Sequence, residues 1–328
     1  MKISVGKQTP VMALVALVVI VTAAYVRFAV APFDNEIRGA RVLPLLGEYL
    51  SSVQNALPGW SLAVSAVLTV AAGIVIGQMG GRFSLYPSQT FLSMPIFGII
   101  ACGIFIPADT LAASVTTLLA AMALRFLCRS YLRERDLSAM LYAGLCIGMM
   151  LLLSPAGVVY VIAALSAIFI LSFSARELFV LLIAMLLPAG ACCYAVWAFG
   201  GEFFAPVIRL REALFAESGV ETFGDEAVTA LVLCGLIGFA FFFSMLLFLA
   251  NRFMVSVKSR GILIYNVVLA LLSLTLPVLP SSTPADFSVA AVPMSVIMPV
   301  LFIREEKRLS AVLYLSLWAV FVLHLLYY

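Results

Sequence analysis

Two carboxylates and four guanidinium groups are the side chains here best suited to chemistry. Asp34 and Glu36 flank Asn35 just beyond a first apolar run, and Arg38 and Arg41 follow closely. A second polar stretch, residues 200–226, carries Arg209 and Arg211 among the acids Glu202, Glu212, Glu217, Glu221, Asp225 and Glu226. A carboxylate beside an acceptor hydroxyl can take its proton, and arginines grip phosphate through paired hydrogen bonds. Asp34 and Glu36 are therefore the catalytic candidates, and Arg38, Arg41, Arg209 and Arg211 the candidates for holding substrate. A divalent cation on a leaving phosphate enters only under this chemistry. Otherwise no metal site and no cofactor is expected. The competing reading is that acids and bases in polar loops are simply solvated.

The elements that must position these groups are membrane spans. Hydrophobic residues make up 64% of the chain and charged ones 11%, and the mean hydropathy is +1.17. Soluble proteins carry about a quarter charged residues, so this is an integral membrane protein. Apolar runs of roughly 17 to 24 residues recur with short polar breaks, each long enough to cross a hydrocarbon core of about 30 Å. Stretches such as 62–76 and 231–250 are apolar all round, which excludes the alternating strands of a barrel.

Eleven such runs are expected to span: 11–26, 60–78, 89–106, 110–128, 138–154, 155–173, 178–199, 227–250, 262–279, 287–303 and the stretch after Arg308. Arg125, Arg129, Arg133 and Arg135 crowd the turn 125–136, where a cytosolic loop belongs. With the N-terminus in the cytosol, 14 of the 19 basic residues fall inside and 11 of the 16 acids outside. The expected fold is all-α, a polytopic transmembrane bundle of about eleven spans, N-in and C-out, forming one domain over 1–328. Val42, Leu46, Leu50 and Val53, and again Phe203, Val207, Leu210 and Leu214, recur at helical spacing and predict two amphipathic interfacial helices on the outer face. A signal-peptide reading of Ala29-Val30-Ala31 is opposed by Arg27 within the apolar stretch and by Pro32 after the cut.

The remaining signals read as structural. Gly73 with Gly77, and Gly144 with Gly148, are close-packing pairs. Six cysteines lie within or beside apolar runs without CxxC spacing and read as packing residues. Ser174 to Glu177 has the spacing of a capping box, and Asp109 and Asp286 stand where helix caps belong. His324, the one histidine, cannot build a metal centre alone. Pro95, Pro188, Pro277, Pro280, Pro293 and Pro299 interrupt spans. Ordinary kinks are the preferred reading, and helices broken around a cavity the other, strongest for 287–303. Charges are essentially missing from span centres, which disfavours ion-coupled transport but leaves open a lipid or apolar-solute carrier.

Multi-span glycosyltransferases that use lipid-linked sugars place an acid in the first outer loop, beside interfacial helices, and the placement of Asp34 and Glu36 is similar. A second resemblance covers roughly 77–188. The segments Arg82-Phe-Ser-Leu-Tyr-Pro87, Arg125-Phe-Leu127, Ala143-Gly-Leu-Cys-Ile-Gly-Met-Met-Leu-Leu-Leu-Ser-Pro155 and Ser174-Ala-Arg-Glu177 resemble an uncharacterised family of polytopic inner-membrane proteins of Gram-negative bacteria, sometimes mislabelled carotene monooxygenase. An aspartate expected in that family before the glycine of the fifth span is replaced here by Tyr142 and Ala143. The resemblance implies a bacterial inner membrane and no assigned activity. The leading expectation is a component of envelope biogenesis with an envelope protein partner. The alternatives are a glycosyltransferase-like enzyme acting on a polyprenyl-linked sugar at the outer membrane surface, and a carrier of lipid or apolar solute. The bilayer is an expected partner under all three, and nucleic acid under none.

Overall fold

Each of the eleven apolar runs contains helix, but the helices differ widely in length and in depth of burial. The structure, a computed structural model, describes residues 8–30, 43–103, 110–133, 136–215, 228–250, 255–276, 284–304 and 307–327. In chain order the helices are α1 (Pro10–Val30), α2 (Leu45–Ala56), α3 (Pro58–Arg82), α4 (Ser93–Gly103), α5 (Thr110–Leu132), α6 (Leu137–Leu153), α7 (Gly157–Ile170), α8 (Ala175–Ala198), α9 (Ala205–Phe215), α10 (Val228–Ala250) and α11 (Val257–Ser273). A 3-10 segment, Pro284–Val289, then leads into α12 (Ala291–Ile297), α13 (Pro299–Arg304) and α14 (Lys307–Tyr327). No strand occurs among the described residues. Seven segments are long and apolar enough to cross a membrane: α1, α3, α5, α8, α10, α14 and the interrupted stretch Asp286–Ile303. This is a multi-pass membrane protein. Of the run 89–106, expected as a full span, the structure describes 89–103, in which the 11 residues of α4 are helical.

Apolar composition does not say which face turns inward; small residues do. In α1, Ala13, Leu17, Ile20, Ala24 and Phe28 are buried, while Val11, Val15, Val19 and Val26 are exposed on the other side. Leu17 fills the notch left by Gly73 of α3, and Met94 of α4 fills the notch at Gly77. Likewise a side chain at Gly144 would sit 2.6 Å from the Leu181 carbonyl of α8, and one at Gly148 would strike the Met185 carbonyl. Both glycine pairs therefore let helices approach closely, as their spacing predicts. The capping box is also present: the Ser174 N–H donates to Glu177 at 2.7 Å, and the Glu177 N–H donates to the Ser174 hydroxyl at 3.4 Å. His324 is buried in α14 and hydrogen-bonded to Thr229 of α10 at 3.1 Å. All six cysteines are free thiols.

Of the seven membrane-length segments Asp286–Ile303 is the most enclosed, and here the chain breaks rather than simply kinks. The helix breaks at Ala290 and again at Met298, directly before Pro299, whereas α8 runs unbroken through Pro188. Breaks inside a bilayer free backbone carbonyls that water cannot reach, so side chains must serve them. Pro293 has no N–H for the Val289 carbonyl one turn earlier, and the Tyr160 hydroxyl donates to that carbonyl at 3.4 Å. Tyr86 donates to the Val296 carbonyl at 2.5 Å and Ser244 to Met298 at 3.2 Å. Ser310 donates to the Phe302 carbonyl at 2.9 Å. Three helices and the loop after α3 thus hold one broken span.

Candidate functional site

Of the six side chains singled out for chemistry, Asp34, Glu36, Arg38 and Arg41 lie outside the described residues. Arg209 and Arg211 are on α9, both exposed. Arg209 pairs with Glu48 of α2. The structure therefore joins α2 and α9 through a salt bridge.

The α2 helix turns Gly47 and Gln54 inward, with Leu46, Leu50 and Val53 only half-buried; a side chain at Gly47 would strike the Leu153 carbonyl at the end of α6. The α9 helix docks through Pro206 and Ala213, and Val207 on it and Phe203 just before it are exposed. A small residue that permits contact outweighs a larger apolar one that can rest in lipid. Large aromatic side chains are exposed around this end: Tyr49, Trp60, Trp197, Phe199, Phe204 and Phe215.

From α2 the construction leads inward. The Gln54 side chain, 4% exposed, accepts the Leu111 N–H at 3.1 Å and so satisfies one of the unpaired N–H groups that open α5. Beside it Thr110 forms one wall of a recess between α1, α3, α4, α5 and the 3-10 segment. The polar lining is Tyr25, Thr69, Thr110, Ser114, Thr117 and Ser288, with Cys102 beside them, and no charged residue is among the lining residues. The free space is enough for about one water molecule. Thr110 is 0% exposed, and its hydroxyl has no hydrogen-bond partner.

Asp286 lies next to this wall, at the start of the 3-10 segment. Expected as a helix cap, it is buried and accepts a hydrogen bond from Ser154, at the junction of α6 and α7, 132 residues away. In the sequence the residues of the recess read as part of apolar spans. A signal was present: Thr110, Ser114 and Thr117 recur at i, i+4 and i+7, and Ser61, Ser65 and Thr69 recur every fourth residue on α3. Hydroxyls spaced on one face of an apolar helix point into protein rather than lipid.

Among the described residues no three His, Cys, Asp or Glu side chains converge as a metal site would require. What the recess can do is hydrogen-bond a small neutral group and hold it against an apolar wall. No family model, curated protein or solved structure matches this chain.

Proposed function

We propose that this protein is a component of envelope biogenesis in a bacterial inner membrane, handling an amphiphilic ligand at the outer surface. It crosses the bilayer eleven times, N-terminus inside and C-terminus outside, and belongs with the uncharacterised polytopic family it resembles. Segregation of basic from acidic loops supports the orientation. The exposed aromatics around α2 and α9 support an interfacial position for both helices, because Trp and Tyr collect at headgroup level. The observation that carries the functional reading is the uncharged, hydroxyl-lined recess beside α2, a polar cavity that also has the apolar Phe28, Ala101 and Ala113 in its lining. Such a site suits the polar head of a lipid better than a free ion.

A second reading, transfer from a polyprenyl-linked sugar, is favoured by the position of Asp34 and Glu36 in the chain directly after α1, whose Tyr25 lines the recess. The two readings separate on one experiment. Under the transferase reading, Asp34→Asn and Glu36→Gln abolish envelope function at normal protein levels. Under the component reading both variants complement a deletion, and a protein partner co-purifies in mild detergent. Reporter fusions at Arg129 and Glu217 that fell on the same side of the membrane would overturn both readings.

A further inference from the structure

We propose that the recess at the start of α5 is a recognition site for a neutral hydroxyl group on the head of an amphiphile, such as a sugar or glycerol hydroxyl, and not for phosphate. The inference rests on the amphiphile-handling reading above and adds the chemistry of the group recognised. It comes from counting hydroxyl hydrogens.

A hydroxyl has one hydrogen to give and lone pairs to accept with. Thr69 gives its hydrogen to the Ser65 carbonyl at 2.8 Å, so in its 3.1 Å contact with Tyr25 the phenol must be the donor. Ser114 gives its hydrogen to the Leu111 carbonyl at 3.0 Å. Thr117 gives its own to the Ala113 carbonyl at 2.7 Å, so Ser288 donates in the 2.8 Å contact between them. The hydrogens of Tyr25, Thr69, Ser114 and Thr117 are therefore spent. Lone pairs on Tyr25 and Ser114 remain, and the fully buried Thr110 hydroxyl is the one strong donor on the lining without a partner.

Phosphate offers mainly acceptors and would meet a wall of acceptors with a single hydroxyl donor. An ammonium group offers only donors, leaves the Thr110 hydrogen unserved and is opposed by the positive end of the α5 dipole; that dipole favours an anion, but a phosphate would set its oxygens against the lone pairs of Tyr25 and Ser114. A hydroxyl both accepts, from Thr110, and donates, to Ser114 or Tyr25. It also carries no charge into a site that has none to offset it, where an unpaired ion would be costly.

The test uses the full-length protein in phosphatidylethanolamine nanodiscs doped with one of three lipids: a polyprenyl phosphate bearing one hexose, the same polyprenyl phosphate bare, or phosphatidylglycerol. Lipid retained per protein after extraction is read by mass spectrometry for wild type, Thr110→Val and Tyr25→Phe, with thermal unfolding as the control for folding. Retention of the hexose-bearing lipid is expected to exceed that of the bare phosphate by about five- to tenfold, and Thr110→Val to remove the difference, as for loss of one buried hydrogen bond. Should Thr110→Val not fold, Tyr25→Phe, which removes an acceptor oxygen, carries the comparison. Thr110-dependent retention of phosphatidylglycerol alone upholds the hydroxyl site and removes the lipid-linked sugar as its ligand. Equal retention of bare and hexose-bearing lipid, or no effect of either variant, overturns the site as no more than a water pocket, while leaving lipid handling intact. Retention of none of the three lipids overturns both.

Discussion

The hydroxyl of Tyr86, in the loop after α3, donates to the main-chain carbonyl of Val296, 210 residues later in the chain, at 2.5 Å. Both groups are buried, and the carbonyl lies in the last turn of α12, where no regular helix continues to donate to it. Tyr86→Phe removes the donor and leaves the carbonyl unserved. The expected loss is about 1 kcal/mol, in line with hydrogen bonds between membrane helices. Thermal unfolding in detergent measures it, and an unchanged midpoint would show that the break needs no such partner.

The contact of α6 with α8 depends on the absence of a side chain at two positions. Gly148→Val places carbon against the Met185 backbone, which has no rotamer to yield, and costs about 1–3 kcal/mol or more by overpacking. Gly190, also on α8, has open space where a side chain would project. There Gly→Ala is expected to be neutral or to stabilise the helix by up to about 1 kcal/mol. Parallel melting curves of the two variants make the comparison, and equal melting would refute the close approach.

The Glu48–Arg209 pair fixes α2 to α9 but is about half exposed on both sides. Exposed pairs contribute little, so a double-mutant cycle with Glu48→Gln and Arg209→Gln should give a coupling below about 1 kcal/mol that shrinks as salt rises. A larger, salt-insensitive coupling would mean that the pair is sheltered by something beyond this chain.

Asp136 caps α6. A hydrogen bond from Ser138 first, then the Ala139 N–H and the Arg129 guanidinium at 3.0 Å, hold its carboxyl below the usual carboxylate range. A lowered folded pKa stabilises above the unfolded value, about 3.9, and that contribution fades as pH falls through the folded value. Asp136→Asn should therefore melt lower than wild type at pH 7, with the gap closing below about pH 4. A gap independent of pH would assign the effect to shape rather than charge.

Much of the architecture could be read from residue types, because bilayer physics leaves few options. An apolar run without charges must be helix, a serine three residues before a glutamate at a helix start reads as a box, and glycines four apart mark a close approach. Continuity was not legible. The run 287–303 is as apolar as the others, and nothing in its composition shows that it breaks twice. Those breaks depend on partners such as Tyr86, Tyr160 and Ser244, distant in sequence. The hydroxyl-lined recess was not legible for a related reason. The hydroxyls of Thr110 and Ser114 read as tolerated polarity in a span until the fold brings Tyr25 and Thr69 opposite them.

The order of the donors along the chain bears on how this protein is made. Tyr86, Tyr160 and Ser244 all precede the broken segment, so when Pro284–Arg304 leaves the ribosome most of its hydrogen-bond donors are already in the membrane. Only Ser310 follows. A nascent chain truncated after residue 304 should therefore seat this segment among its neighbours, whereas one lacking α3 and the loop after it would leave the Val296 carbonyl bare and become a substrate for quality-control proteolysis.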